Sequence, residues 1–173
     1  MTDQVADRGT GPSAHGGPGK SMAPVERQLT TALAAWGAGS VLVGGAVWAS
    51  ARQQSLAAFG RQTAAWGAID VAIAGFGLVR ARRRKGPPDD DERRRLRRAL
   101  VINSVLDVFY VAGGVVLFAR ADPLADSIPA RTPGRRYGAD EMRGDGVAVV
   151  AQGVFLLLLD TTFAIRLGAR SAD

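Results

Sequence analysis

Residues 99–119 read ALVINSVLDVFYVAGGVVLFA, a run whose one charged side chain is Asp107 and which holds no Lys or Arg. A helix of about 20 residues, rising about 1.5 Å at each, crosses the roughly 30 Å hydrocarbon core of a bilayer. A helix of a water-soluble bundle would instead show a polar face about every 3.6 residues, and Val108 to Leu117 shows none. This stretch therefore reads as a membrane span.

Working outward with a window of about 19 residues, three more apolar stretches emerge at 29–50, 62–79 and 146–165. Val147 to Phe155 again lacks a polar face, while 62–79 is the shortest stretch and is rich in Ala and Gly. The fold expected is all-α, an integral membrane four-helix bundle occupying 29–166. Residues 1–28 mix Gly, Pro, Ser and Asp and are expected to be a disordered cytoplasmic tail, and 167–173 a second short tail. Mean hydropathy over the whole chain is near neutral because apolar spans are averaged with very polar connectors.

Charge placement sets the orientation. The connector after the second stretch carries Arg80, Arg82, Arg83, Arg84, Lys85, Arg93, Arg94, Arg95, Arg97 and Arg98. Cytoplasmic loops collect Lys and Arg, so this loop and both termini are expected inside, in a multi-pass protein of the cell inner (plasma) membrane. Counting Arg8, Lys20, Arg27, Arg166 and Arg170, fifteen basic residues fall inside against seven outside, the latter in 51–61 and 120–145. The basic loop 80–98 fits anionic lipid headgroups. Nucleic acid is not expected, because no aromatic platform or recognition motif accompanies the charge. Gly86-Pro87-Pro88 breaks any helix, and the acids 89–92 then suit a helix start near residue 89, opposite the positive end of the helix dipole.

Other features bound the chemistry. With no cysteine, disulfides, thiolate metal sites and cysteine nucleophiles are excluded. The single histidine, His15, lies in the polar tail, and no Walker or Rossmann glycine pattern is present. Neither an enzyme, a cofactor nor a dedicated metal site is expected. The long polar lead before the first span reads as a retained signal anchor, although Ala49-Ser50-Ala51 has the small-x-small form of a cleavage site. Twenty Arg against two Lys, with abundant Ala, fits a bacterial genome of high GC content.

The first two spans share a repeat. Ala34-Ala35-Trp36-Gly37-Ala38 recurs as Ala64-Ala65-Trp66-Gly67-Ala68, with Ser40 standing where Asp70 does. Leu106-Asp107-Val108 echoes Ile69-Asp70-Val71 more weakly. The repeat predicts a packed helical hairpin about a pseudo-symmetry axis, its matched tryptophans on opposite sides of the midplane. Ser40-x-x-x-Gly44 and Ala64-x-x-x-Ala68 supply small residues for close helix approach.

The candidate site is the acidic set inside the spans: Asp70, Asp107 and Asp160. Each charged carboxylate at the bilayer centre costs about 3 kcal/mol on insertion scales. Protonating one at neutral pH costs about 4 kcal/mol, so neither state wins on its own. Desolvation and mutual repulsion favour sharing one or two protons, while oxygen ligands of this type also suit a hard cation. Asn103, Asp107, Tyr110 and Gly114 follow one helical stripe. Asp70 and Asp107 lie within about 3 Å of their span centres, and Asp160 and Asn103 about 6 to 9 Å toward the cytoplasm. Gln152 joins from the outer half of the last span and Ser40 from the first. Asp107 is expected at the centre, with all three aspartates facing inward.

Trp66-x-x-x-Asp70 with Gly75-Phe76-Gly77, Asn103-x-x-Leu106-Asp107-x-x-Tyr110, and Gly146 with Gln152-Gly153 and Asp160 together resemble a family of small bacterial four-helix membrane proteins. Its shared region is known only as a domain of unknown function, and the resemblance covers about 29–166. It implies four spans and no activity. Relatives often carrying Asn where Asp70 stands would imply a polar contact there rather than an obligatory charge. Two roles follow as expectations. One is a structural or accessory protein of a larger membrane complex. The other is a carrier or sensor for a proton, cation or small polar ligand, working as a homo-oligomer because four spans enclose little space.

Overall fold

The computed structural model describes residues 23–84, 89–127 and 137–169. Five helices follow one another: α1 (Ala23–Ser50), α2 (Gln54–Arg83), α3 (Asp90–Ala119), α4 (Ala121–Ser127) and α5 (Ala139–Ala169). All but α4 are long and apolar enough to cross a membrane.

Each long helix contains its expected span and overruns it at both ends or at one. Backbone hydrogen bonding does not require apolar side chains, so the helix continues where the hydropathy signal stops. Thus α1 already starts at Ala23, inside the stretch expected to be a tail. The first connection shrinks to 51–53 and Arg61 is helical rather than looped. Asp89 caps α3, its carboxylate accepting the Glu92 amide at 2.7 Å, with Asp90, Asp91 and Glu92 in the first turn. The short α4 after Arg120 gave no sequence signal. The expected disordered tail with His15, the Gly86-Pro87-Pro88 break, Arg131, Arg135, Arg136 and Arg170 lie outside the described residues.

Glycine sets the helix spacing. In the antiparallel α1–α2 pair, a Cβ on Gly37 would stand 2.7 Å from the Gly67 carbonyl oxygen, and one on Gly67 2.6 Å from that of Gly37. Gly44 and Gly60 repeat the arrangement one heptad away, each 2.7 Å from the other's carbonyl oxygen by the same measure. Close backbone approach of this kind is how membrane helices gain dispersion energy without a hydrophobic drive. The α3–α5 pair uses the same device: Gly114 and Gly146 oppose each other at 2.8 Å, and Gly153 sits over Val111. The two hairpins then meet along α2 and α5, where Gly144 abuts the backbone of Ser55 and Phe59.

At the end holding the α1 N-terminus, Val25, Leu100, Phe163, Ala164 and Leu167 form a small apolar core, with Leu29, Leu96 and Leu159 around it. Elsewhere the apolar side chains point outward. Leu42, Phe76, Phe109, Leu158 and Ile165 are 64–73% exposed, one or more from every long helix. The molecule is small and polar inside, large and apolar outside.

The repeat also sets the relative depth of its tryptophans. Gly37 and Gly67 face each other, so the pseudo-twofold axis passes between them. Trp36 and Trp66, each one residue before, are then offset in depth by only about two residues, roughly 3 Å. They lie at nearly one level, one on either side of that axis.

Candidate functional site

The local reason that an aspartate is buried on α2 is the glycine opposite it. The Asp70 Cβ lies 2.9 Å from where a Gly37 side chain would begin, so only glycine leaves room for the carboxyl. Asp70 is 2% exposed, Asp107 on α3 4% and Asp160 on α5 7%. Three helices thus turn a carboxyl into the bundle. The Asp107 charge acts on Asp70 and on Asp160, and that of Asp70 also acts on Asp160. Asn103 lies within electrostatic reach of Asp160. The buried Oδ2 atoms of Asp70 and Asp107 have no hydrogen-bond partner among the described residues. Leaving such an acceptor unsatisfied costs about 1 to 3 kcal/mol.

The other expected members divide differently. Along α3 the buried positions are Leu100, Asp107 and Gly114, a heptad line, because this helix packs mainly on α5 and buries a narrow face. Asn103 and Tyr110, expected on the same inward stripe, flank that line and are exposed. Tyr110 instead meets Trp66 edge-on, centroids 5.3 Å apart.

Gln152 belongs to a second network, apart from the aspartates. The Trp36 indole N–H donates to Gln152 Oε1 at 2.6 Å, and Gln152 Nε2 donates to Ser40 Oγ at 3.2 Å. The Trp36 ring stacks on Phe155 at 3.9 Å and 6°. The twin tryptophans of the repeat therefore each reach across to the second hairpin, Trp36 to α5 and Trp66 to α3. Ser40 and Asp70, the paired positions that differ in chemistry, point one to each polar network.

Two clusters near the helix ends escaped the sequence reading. Arg61 donates to both carboxylate oxygens of Asp145, at 3.2 and 2.9 Å, and Tyr137 OH donates to the same carboxylate. Burial first, and the bond to Asp145 second, push the Tyr137 hydroxyl well above its ordinary range. Asp145 is 7% exposed, a compensated acid one residue before an expected span. The available signal is an Arg and an Asp each beside an expected apolar stretch, in the connections expected at 51–61 and 120–145.

At the opposite end, Arg84 donates to Glu26 at 2.8 and 3.2 Å and lies 3.2 Å from Glu92, tying α1, α2 and α3 together. The hydrogen bond to Glu26 raises the Arg84 guanidinium further above its usual value. Arg93 donates twice to the Leu167 carbonyl, at 3.1 and 2.7 Å, satisfying an acceptor in the last turn of α5. Part of the basic run is thus internal scaffolding. Arg82, Arg83, Arg95 and Arg98 remain exposed.

Among the described residues, no three His, Cys, Asp or Glu side chains stand close enough to hold one metal ion. No curated protein and no solved structure matches the chain. A family of unknown function does match, over residues 32–161, which takes in the repeat with Trp36 and Trp66, the aspartates Asp70, Asp107 and Asp160, and Gln152. The chain belongs to that family, DUF6992.

Proposed function

We propose that this chain is a four-span protein of a bacterial inner membrane, with both termini inside, and that it serves as a structural or accessory component of a membrane assembly. The observation that carries the reading is the inverted distribution of side chains. All four long helices expose large apolar groups while glycines, Ser40, Gln152 and the aspartates occupy the interior. An exposed apolar perimeter of this kind is stable only against lipid or another membrane protein. Backbone contact at Gly37–Gly67 and Gly114–Gly146 supports a packed scaffold. The role is non-enzymatic, with anionic headgroups held by the free arginines of 80–98 and a homo-oligomer or larger complex completing the assembly.

The test is extraction and capture. The protein should stay with membranes in alkaline carbonate and leave them in mild detergent, and purification from its own membranes should bring a second copy or a membrane partner. Release by carbonate would refute the membrane reading, and a detergent-solubilised monomer with no partner would refute the accessory role.

A second reading, a carrier or sensor for a proton, cation or small polar ligand, is favoured by one observation: the unpartnered Oδ2 atoms of Asp70 and Asp107 inside the bundle.

A further inference from the structure

We propose that Asp70, Asp107 and Asp160 form a proton-binding site, entered from the Asn103 end of the α3–α5 pair. This names the ligand of the second reading above and rests on it.

The groups around the set leave few alternatives. From α2 the charged neighbour of Asp107 is Asp70, and from α5 it is Asp160. From α3 itself come Asn103, which reaches Asp160, and Tyr110, which is turned to Trp66. From α1 come Gly37 against Asp70 and the hydroxyl of Ser40, already engaged by Gln152. Among the described residues no Lys, Arg or His acts on any of the three carboxyls.

Two of their oxygens, both on residues more than nine-tenths buried, lack a hydrogen-bond partner. A buried carboxylate with a free lone pair must find a donor, and the charged groups that face it are themselves carboxylates. A proton removes the charge of the carboxyl that takes it and turns one acceptor into a donor. A divalent cation would need about six to eight oxygens at about 2.3 to 2.6 Å, whereas the described acids do not gather three around one point. Loading needs no further reagent: hydronium gives its proton to a carboxylate oxygen and departs as water.

Polar side chains stand at that end of the set: Asn103 and Thr161 are exposed, the Thr161 hydroxyl bonds Ser104 at 3.2 Å, and Asn103 lies within electrostatic reach of Asp160.

The experiment is infrared spectroscopy of the protein in lipid nanodiscs, following the carbonyl stretch of protonated carboxyl groups across pH. A band is expected at neutral pH that fades on alkalinisation and is unchanged by added Na⁺ or Mg²⁺. D107N should shrink it, as should D70N, while D122N, at an exposed residue on α4, should not. Circular dichroism establishes that each variant is folded. A folded protein with no titrating carboxyl band, or with a band that Na⁺ or Mg²⁺ abolishes, would overturn the proposal, and so would a band insensitive to both D107N and D70N. Carbonate extraction judges the membrane reading separately, so the two failures are distinguishable.

Discussion

Gly37 and Gly67 oppose each other so closely that neither tolerates a Cβ without moving the other's backbone, the contacts being 2.7 and 2.6 Å. The pair lies at the centre of the first hairpin, and it brings Asp70 and Ser40 to the two sides of the crossing.

Gly67→Ala should therefore destabilise the fold by about 1 to 3 kcal/mol, the usual range for inserting atoms into a packed core. Gly45→Ala is the control. Nothing lies within 4 Å of a Cβ there, and removing a flexible glycine from the helix should leave stability unchanged or slightly higher. Reversible denaturation in detergent measures both. Equal effects would mean that the glycine contact does not limit helix approach.

That contact was half legible in advance. The Ala-Ala-Trp-Gly-Ala repeat announced a symmetric hairpin, but which small residues touch depends on register: Gly37 meets Gly67 and Gly44 meets Gly60, with Ser40 and Ala64 of the expected small-xxx-small pairs beside them and Ala68 exposed. The four apolar helices and the start of α3 were readable because hydropathy and a cap are local; the other starts were not, because a helix runs on past its apolar stretch. Asp70, Asp107 and Asp160 stood out because charge in an apolar run is anomalous wherever it occurs. The destination of Gln152 and the Arg61–Asp145 pair were not readable, since both depend on the relative depth of helices far apart in sequence. Asn103 and Tyr110 were misplaced for a related reason: the stripe gives a helix face, and the neighbouring helix decides how wide a face is buried.

Replacing Gln152 by Leu should remove two hydrogen bonds together and leave the Trp36 indole N–H without its acceptor. A loss of about 1 to 3 kcal/mol is expected from stranding buried polar groups. Gln152→Glu, which keeps an acceptor for Trp36, should recover part of it. Denaturation with tryptophan fluorescence as the probe reads the Trp36 environment directly, and an unaltered midpoint in the Leu variant would exclude a structural role for this network.

Tyr137 predicts an alkaline sensitivity. Its hydroxyl proton is held more tightly in the folded protein, because burial and the bond to Asp145 both favour the neutral form. The folded state therefore binds this proton more strongly than the unfolded state. Its contribution is full below the ordinary tyrosine value of about 10 and declines as pH rises beyond it. Tyr137→Phe should lose about 1 kcal/mol at neutral pH and show a shallower decline above about pH 10. Melting curves at stepped alkaline pH separate the two proteins, and parallel declines would remove Tyr137 as the cause.

The proposed orientation is open to a clean chemical test, because the chain has no cysteine of its own. Arg52 lies in the short connection between α1 and α2, and Arg82 is exposed in the last turn of α2, at the opposite end of that helix. With the arginine-rich end inside, a membrane-impermeant maleimide should label Arg52→Cys in intact cells. It should reach Arg82→Cys only after the membrane is opened. Substituting one arginine leaves the basic excess of that end nearly intact, so the variant should not invert its own topology. Labelling of Arg82→Cys, with Arg52→Cys protected, would place the free arginines outside and remove the anionic inner leaflet as their partner.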